Sequence, residues 1–307
     1  VIEGILQKLA SALATLWLAF SVVFIALRVV PGDGLTTQLI ESGADASTFA
    51  TRRAALGLDQ PLLAQYVETL IKLLRGDLGV SLLDGRDVAQ IIGEQLAPTF
   101  SLALAAMSVA ILLGFILGIS AAQKGAGFAL ISRQIITFGL SSPIYFTGTV
   151  AIALFATRLG WFPGSGAGRF DQLILPAGVL GFHSAAALAR VIESQLKHVQ
   201  TTPFVRTATS KGLRQRRVLM VHALRPTLAP IITIISIEMG YLLGGAVITE
   251  TLFARPGLGR VLIDAALRQD YPIVQGIVVW SAAVFITITI LGDVLSACVD
   301  PRLRGSA

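Results

Sequence analysis

The chain has 307 residues, 54% of them hydrophobic and only 14% charged, with a formal net charge of +6. A soluble domain of this size covers its surface with about 25% charged residues, so the deficit excludes an ordinary water-soluble fold and points to lipid. The positive excess, a sign of nucleic-acid binding in a soluble protein, is the normal bias of cytoplasmic loops in a membrane protein. The single cysteine, Cys298, leaves no intrachain disulfide and no cysteine-based metal site.

Six apolar runs are long enough to cross a hydrocarbon core, which takes about 20 helical residues. They cover 9–30, 97–122, 131–157, 173–195, 226–248 and 275–297. The expected fold is therefore an all-α membrane protein of six transmembrane helices, a single domain over 1–307. The first run is longer than the apolar core of a secretory signal, about 7 to 15 residues, and is expected to remain as a helix. Between the first two runs, segment 31–95 holds nine acids against five Lys and Arg residues, which places it on the exported side. Within it, 60–76 has Leu63, Val67, Leu70, Ile71 and Leu74 at helical spacing, with Gly76 as a stop.

Lys8, Lys124, Arg133, Arg302 and Arg304 fall together on the opposite face, with the basic residues of 190–225. That face is expected to be cytoplasmic, as are both termini. Gly114-x-x-x-Gly118 and Gly240-x-x-x-Gly244 allow close backbone approach, either within the chain or at a seam between subunits. Pro143, Pro176 and Pro230 lie in or near spans, where they can loosen a helix.

The stretch 202–226 concentrates six Lys or Arg residues, one His and no acid. Thr202-Pro203 predicts a helix start, with Thr202 capping free amides, and Gly212 an end. A second amphipathic helix is expected over 213–224. Three readings compete for this cytoplasmic loop, 197–225. It can anchor to anionic lipid headgroups, each basic residue contributing on the order of 1 kcal/mol. It can bind nucleic acid, though no aromatic residues are interleaved for base stacking. It can present an apolar knob of Phe204, Val205 and Ala208 to a cytoplasmic partner.

The order Arg206-Thr207-Ala208, Gly212-Leu213, a basic run and His222-Ala223-Leu224-Arg225 resembles the "EAA" loop of ABC importer permeases of the dipeptide, oligopeptide and nickel family. The likeness runs through "RVVPGD" (28–33), "LGLDQPLLAQYVETLIKLLRGDLGVSL" (56–82), "LGWFPGSG" (159–166), "LLGGAVITETLFARPGLGRVLIDAALRQDYPIVQG" (242–276) and "DPRLR" (300–304), in the family's order. The long exported segment is similar to that of the first, B-type permease subunit. The resemblance implies a bacterial inner-membrane permease for short peptides or a related small solute. It also implies a second permease subunit, two cytoplasmic ATPases that carry ATP and Mg, and an exported solute-binding protein. Phe204, Val205, Arg206, Thr207, Ala208, Lys211 and Gly212 would then form the coupling helix that sits in an ATPase cleft. Glu250, Arg255, Pro256, Gly257, Arg260 and Asp264 would belong to an exported gate that meets the binding protein.

Ionisable residues inside spans are default functional candidates. Glu238 and His183 are expected to line the pathway if they face one cavity, and Asp293 to pair with a base at the cytoplasmic rim. No phosphate-binding lysine loop, His-x-x-x-His pair or Gly-x-Ser-x-Gly elbow is present, so the chain is expected to be non-catalytic and to hold no cofactor of its own. The alternative is a secondary transporter driven by an ion gradient, which would place several acids or helix breaks at midplane.

Overall fold

The computed structural model describes residues 2–29, 54, 57, 59–123, 127–212, 218 and 224–299. In chain order the helices are α1 (Ile2–Val29), α2 (Leu62–Leu74), α3 (Val88–Ala121), α4 (Gly127–Ser141), α5 (Ile144–Ala151), α6 (Asp171–Gln200), α7 (Pro203–Ser210), α8 (Leu228–Leu243), α9 (Val247–Leu252), α10 (Leu258–Leu267) and α11 (Tyr271–Val299). No strand occurs among the described residues, only an isolated bridge between Val80 and Asp87.

Among the described residues four helices are long and apolar enough to cross a membrane: α1 over Ala10–Val29, α3, α6 and α11. The third expected run, 131–157, is not one straight helix. It breaks by 107° between α4 and α5, after which α5 passes into π-helical turns over Ile152–Arg158. Pro143 is the cause, because it heads α5 and cannot donate back to the preceding turn. Counted as one span, the bent pair is a fifth. The expected run at 226–248 is represented by α8, whose 16 residues are too few for a span of ordinary length.

Pro98 and Pro176 lie inside α3 and α6 without ending them. Neighbouring helices in a membrane protein can satisfy the backbone groups such prolines free. Asp87 starts α3 by accepting from the Gln90 amide at 3.1 Å.

α3 and α6 form the central seam, and small residues set their distance. A Cβ on Gly118 would come within 2.7 Å of Ile192 Cβ and 2.9 Å of the Ala189 carbonyl, while one on Gly181 would come within 2.6 Å of the Ala106 carbonyl. Gly114 meets Leu188 in the same way, and Gly240 on α8 meets Phe285 on α11. Both Gly-x-x-x-Gly pairs therefore serve packing within the chain. Close approach matters here because association in lipid relies on van der Waals contact, the hydrophobic effect being already spent on insertion. Lys8 reaches Asp293 at 2.9 Å and ties the start of α1 to the end of α11, so Asp293 does pair with a base.

Candidate functional site

The joint expected on the cytoplasmic side is built at the end of α6. Glu193 is 3% exposed, and its Oε1 accepts from Arg133 Nε on α4 at 2.8 Å and from Lys197 Nζ one turn further along α6 at 2.5 Å. Arg190 stands 4.0 Å away. Arg133 also donates through Nη2 to the Ala121 carbonyl at 2.8 Å, satisfying one of the carbonyls at the C-terminus of α3. One arginine thus joins the ends of three helices. The spacing Arg190, Glu193, Lys197 is visible in sequence as neighbouring positions on one helical face. Arg133, sixty residues away, is not.

α7 leaves this hub after two threonines. The hydroxyl of Thr202, the residue expected to cap α7, donates to the Val199 carbonyl at 2.5 Å and closes α6. Pro203 opens α7, and Gly212, with φ of 79°, ends it in the left-handed conformation that favours glycine. Val205 is buried at 5% against Leu196, Val199, Val218 and Ile231, with Ala208 packed beside it. These two residues, expected on an outward knob, turn into the bundle because positions three apart share a helical face. Thr207 and Lys211 are exposed. The side chains of Phe204 and Arg206 lie outside the described residues, as does the second helix expected over 213–224 apart from Val218 and Leu224.

The intramembrane candidates do not meet. His183 Nε2 bonds Thr147 Oγ1 on α5 at 2.8 Å, whereas Glu238 is hydrogen-bonded by Ser184. His183 and Ser184 are consecutive on α6 and so point about 100° apart, one toward the bent pair and one toward α8. Two cavities, of about 360 and 440 Å³, are lined by neither Glu238 nor His183. The larger is an aromatic groove at the bend, with Phe138, Phe146, Phe155, Phe162 and Phe182 in its walls.

On the side taken as exported, the predicted gate divides into an interior and a surface. Glu250 is fully buried. Its Oε1 accepts from Thr99 Oγ1 of α3 at 3.0 Å and its Oε2 from the Arg260 amide at 3.1 Å, with the Gly259 amide also bonded. The carboxyl caps α10 from a separate helix, and the same Thr99 hydroxyl accepts the Leu258 amide at 3.0 Å. A Cβ on Gly257 would overlap the Glu250 carboxyl group, so glycine there is required by contact. Burial pushes the Glu250 carboxyl up, an effect opposed by the Arg260 amide, the Thr99 hydroxyl, the Gly259 amide and the charge of Arg255. Burial likewise pushes the Arg255 guanidinium down, against the pull of Glu250.

Arg255, 4% exposed, donates through Nη1 to the carbonyls of Gly166 at 3.2 Å and Gln172 at 3.0 Å, fastening the loop to the start of α6. Glu250, Arg255 and Gly257 therefore hold the element together from inside, and a buried side chain cannot touch a docking protein. Pro256, Arg260 and Asp264 are exposed. Sequence reasoning missed Thr99, which carries no signal in its local context. It also missed the role of Asp270, which is 2% exposed and pins the turn before α3 by accepting from Ser81 Oγ at 2.5 Å and the Leu82 amide at 3.2 Å.

Residues 110–305 match the family model described as the inner membrane component of binding-protein-dependent transport systems. A Brucella abortus (strain 2308) protein named as a peptide transport system permease is 36% identical over 309 residues, covering 98% of each chain. The glutathione transport system permease protein GsiC of Pectobacterium atrosepticum is 35% identical over 300 residues, covering 97% of this chain and 98% of that one. Among solved structures, an inward-facing form of the MetNI methionine ABC transporter aligns with a TM-score of 0.58 at 16% identity, over 69% of this chain and 97% of the other. An amino acid ABC transporter aligns with a TM-score of 0.51 at 17% identity, over 70% and 95%. At such identities the structural likeness shows a shared fold.

Proposed function

The chain belongs to the family of inner membrane components of binding-protein-dependent transport systems, and we propose that it is the permease subunit of an ATP-driven importer for short peptides, glutathione among them. Membership sets aside the ion-gradient transporter, since this family draws on a binding protein. The peptide and glutathione names of relatives matched over nearly the whole chain support the substrate class. In this reading the chain supplies half of the translocation pathway and a second permease the other half. Two cytoplasmic ATPases bind ATP and Mg, and an exported binding protein delivers solute.

The topology proposed has six crossings, the bent α4–α5 pair being the third and α8 the fifth. Both termini and 197–225 are then cytoplasmic, and 31–95 is exported. A 16-residue α8 comes close to the length of a crossing when the adjoining 3-10 turn Arg225–Thr227 is added to it. Glu238 is offered to the pathway, and His183 to the wall that supports it. The buried Glu250 and Arg255 would keep the exported gate rigid, while Pro256, Arg260 and Asp264 give it a face for the binding protein.

The observation that carries the coupling role is the seating of α7. Val205 and Ala208 lock this short helix to the end of α6 and to α8, leaving Thr207 and Lys211 outward. A partner gripping the outward face would move α6 directly, and through Glu193 and Arg133 would move α4 and the end of α3. Coupling requires only that ATP-bound and ATP-free partners prefer different bundle arrangements. The test is extraction of the native complex in mild detergent, followed by vanadate-sensitive ATP hydrolysis with and without loaded binding protein. Recovery of two ATPases and a second permease, with hydrolysis stimulated by the loaded protein, is expected. Recovery of the chain alone, with uptake abolished by collapsing the proton or sodium gradient, would overturn the proposal.

A further inference from the structure

α2 has no buried residue, yet it is held firmly along one side. Tyr66 packs between Phe20 and Phe24 of α1, at ring separations of 5.4 and 5.2 Å, and shares a 2.8 Å hydrogen bond with Ser21. One residue earlier, Gln65 Oε1 accepts from Arg28 Nε at 3.3 Å and Nη2 at 3.2 Å. These contacts fix the depth of α2. The apolar run of α1 stops beside Arg28, ahead of Pro31-Gly32-Asp33 in the sequence, so Arg28 marks the edge of the hydrocarbon, and Ser21, seven residues earlier, lies roughly 10 Å below it at the α-helical rise. A helix bonded at both levels lies at the boundary between headgroups and acyl chains.

Its other side suits that place. Leu63 and Leu74 are 75% and 78% exposed and Val67 and Ile71 are also exposed, so with Leu70 they form one apolar stripe about 100° wide. Water would not hold such a stripe at the surface, whereas acyl chains would. On the polar side a cavity of about 360 Å³ opens between α2, α1 and the start of α11.

Its walls include Arg28, Lys72, Glu68, Asp77, Gln65 and Gln275. Arg28 stacks on Phe24, 3.5 Å from the ring centroid, and no carboxylate pairs with it among the described residues. Its bonds to Gln65 and, through Nη1, to the Phe24 carbonyl leave one N–H on each terminal nitrogen, the fork that receives a phosphate. Gln275 is 7% exposed, and its Nε2 has no partner among the described residues. A buried amide donor left open asks for an acceptor. Glu68 is ion-paired with Lys72 at 2.8 Å, so on this wall Asp77 is the carboxylate that suits an amine.

We propose that this cavity is the headgroup site of a zwitterionic phospholipid of the exported leaflet. The phosphate lies on Arg28 and Gln275, the amine faces Asp77, and neighbouring acyl chains cover the stripe of α2. The inference uses the membrane location and topology proposed above and not the coupling role, so failure of the coupling variants leaves it standing.

The test is lipid retention by the intact transporter, purified with its partner subunits and washed in mild detergent, read by native mass spectrometry with phosphatidylethanolamine and phosphatidylglycerol as probes. Retained phosphatidylethanolamine is expected, falling at least tenfold in Arg28→Gln and several-fold in Gln275→Leu, and unmoved by Asp84→Asn outside the cavity. Equal retention in Arg28→Gln, or equal retention of phosphatidylglycerol, overturns the site. Displacement by millimolar inorganic phosphate would assign it to a free anion, and displacement by a tripeptide to solute; either overturns the lipid. A second measurement does not depend on these variants: a nitroxide placed at Val67→Cys in a Cys298→Ser background, in nanodiscs. It should be open to oxygen and shielded from a water-soluble nickel chelate, with a label at Glu68→Cys reversed. A nickel-accessible label at 67 overturns the placement of α2.

Discussion

Glu250 and Gly257 occupy one another's space, which makes their energetic coupling measurable. Glu250→Ala removes the acceptor for the Thr99 hydroxyl and for two amides at the head of α10. Hydrogen bonds to a buried charged group contribute about 1.5 to 3 kcal/mol each, partly offset by relief of desolvation, so the net loss should be about 3 kcal/mol. Gly257→Ala should cost about as much by a different route, because its methyl group can be accommodated only by expelling the same carboxyl. In the double variant the methyl group has nothing to expel. Its loss should therefore match the worse single variant to within about 0.5 kcal/mol, in place of a sum near 6 kcal/mol. Pulse proteolysis of the assembled transporter, followed by detection of a tag on this chain, reads such differences as roughly two decades in the cleaved fraction. Additive losses in the double variant would refute the claim that Gly257 is glycine for the sake of Glu250.

The protonation of Glu250 supplies a second prediction. Burial raises its native pKa above the ordinary 4.5, so its contribution to stability is full below 4.5 and is lost as pH rises through the native value. The difference in stability between wild type and Glu250→Gln should slope downward with pH from 4.5; a flat difference refutes it. At the central seam, Gly118→Leu should cost about 2–4 kcal/mol by forcing α3 away from Ile192 and Ala189, whereas Gly85→Ala, with open space around it, should cost about 1 kcal/mol through its φ of 70° alone. Pulse proteolysis again separates the two, and equal losses would contradict the packing account. Glu193→Gln should leave membrane insertion intact and lower uptake per ATP hydrolysed several-fold, because Arg133 and Lys197 lose the charge that gathers them. Unchanged coupling would remove the hub from the mechanism. Glu238→Gln should alter uptake of cationic peptides more than neutral ones, and equal uptake across a charged and neutral panel would take Glu238 out of the pathway.

Length and hydropathy made α1, α3, α6 and α11 legible, since twenty apolar residues in a row have few other uses. Periodicity also placed α2 and its glycine stop, because Leu63, Val67, Leu70 and Leu74 repeat at the helical interval. Pro143 was visible as a weak point, but the size of the bend it produces depends on what α5 packs against. Direction of facing was the harder matter. Phe204, Val205 and Ala208 read as one apolar knob, yet in so short a helix a rotation of half a turn decides between partner and bundle. The polar joints were hidden for another reason. Thr99 with Glu250, and Arg133 with Glu193, are separated by 151 and 60 residues, so nothing local links them. Glu250 read as a surface acid because in sequence it lies among other charged residues, Arg255, Arg260 and Asp264. Its burial follows from the orphan amides of α10, which need a partner wherever the fold brings one.

The central claim is that α7 carries motion between an ATPase and the membrane bundle. Its most direct measurement is peptide uptake and ATP hydrolysis, on the same proteoliposomes, for wild type, Phe204→Asp and Gly212→Pro. Proline fixes φ near −65° and cannot adopt the 79° that ends α7, so it should displace the helix without touching the spans. The account predicts normal insertion with uptake lost, hydrolysis either falling with the released ATPases or continuing without stimulation by loaded binding protein. Wild-type uptake at the wild-type ratio to ATP in both variants would contradict it.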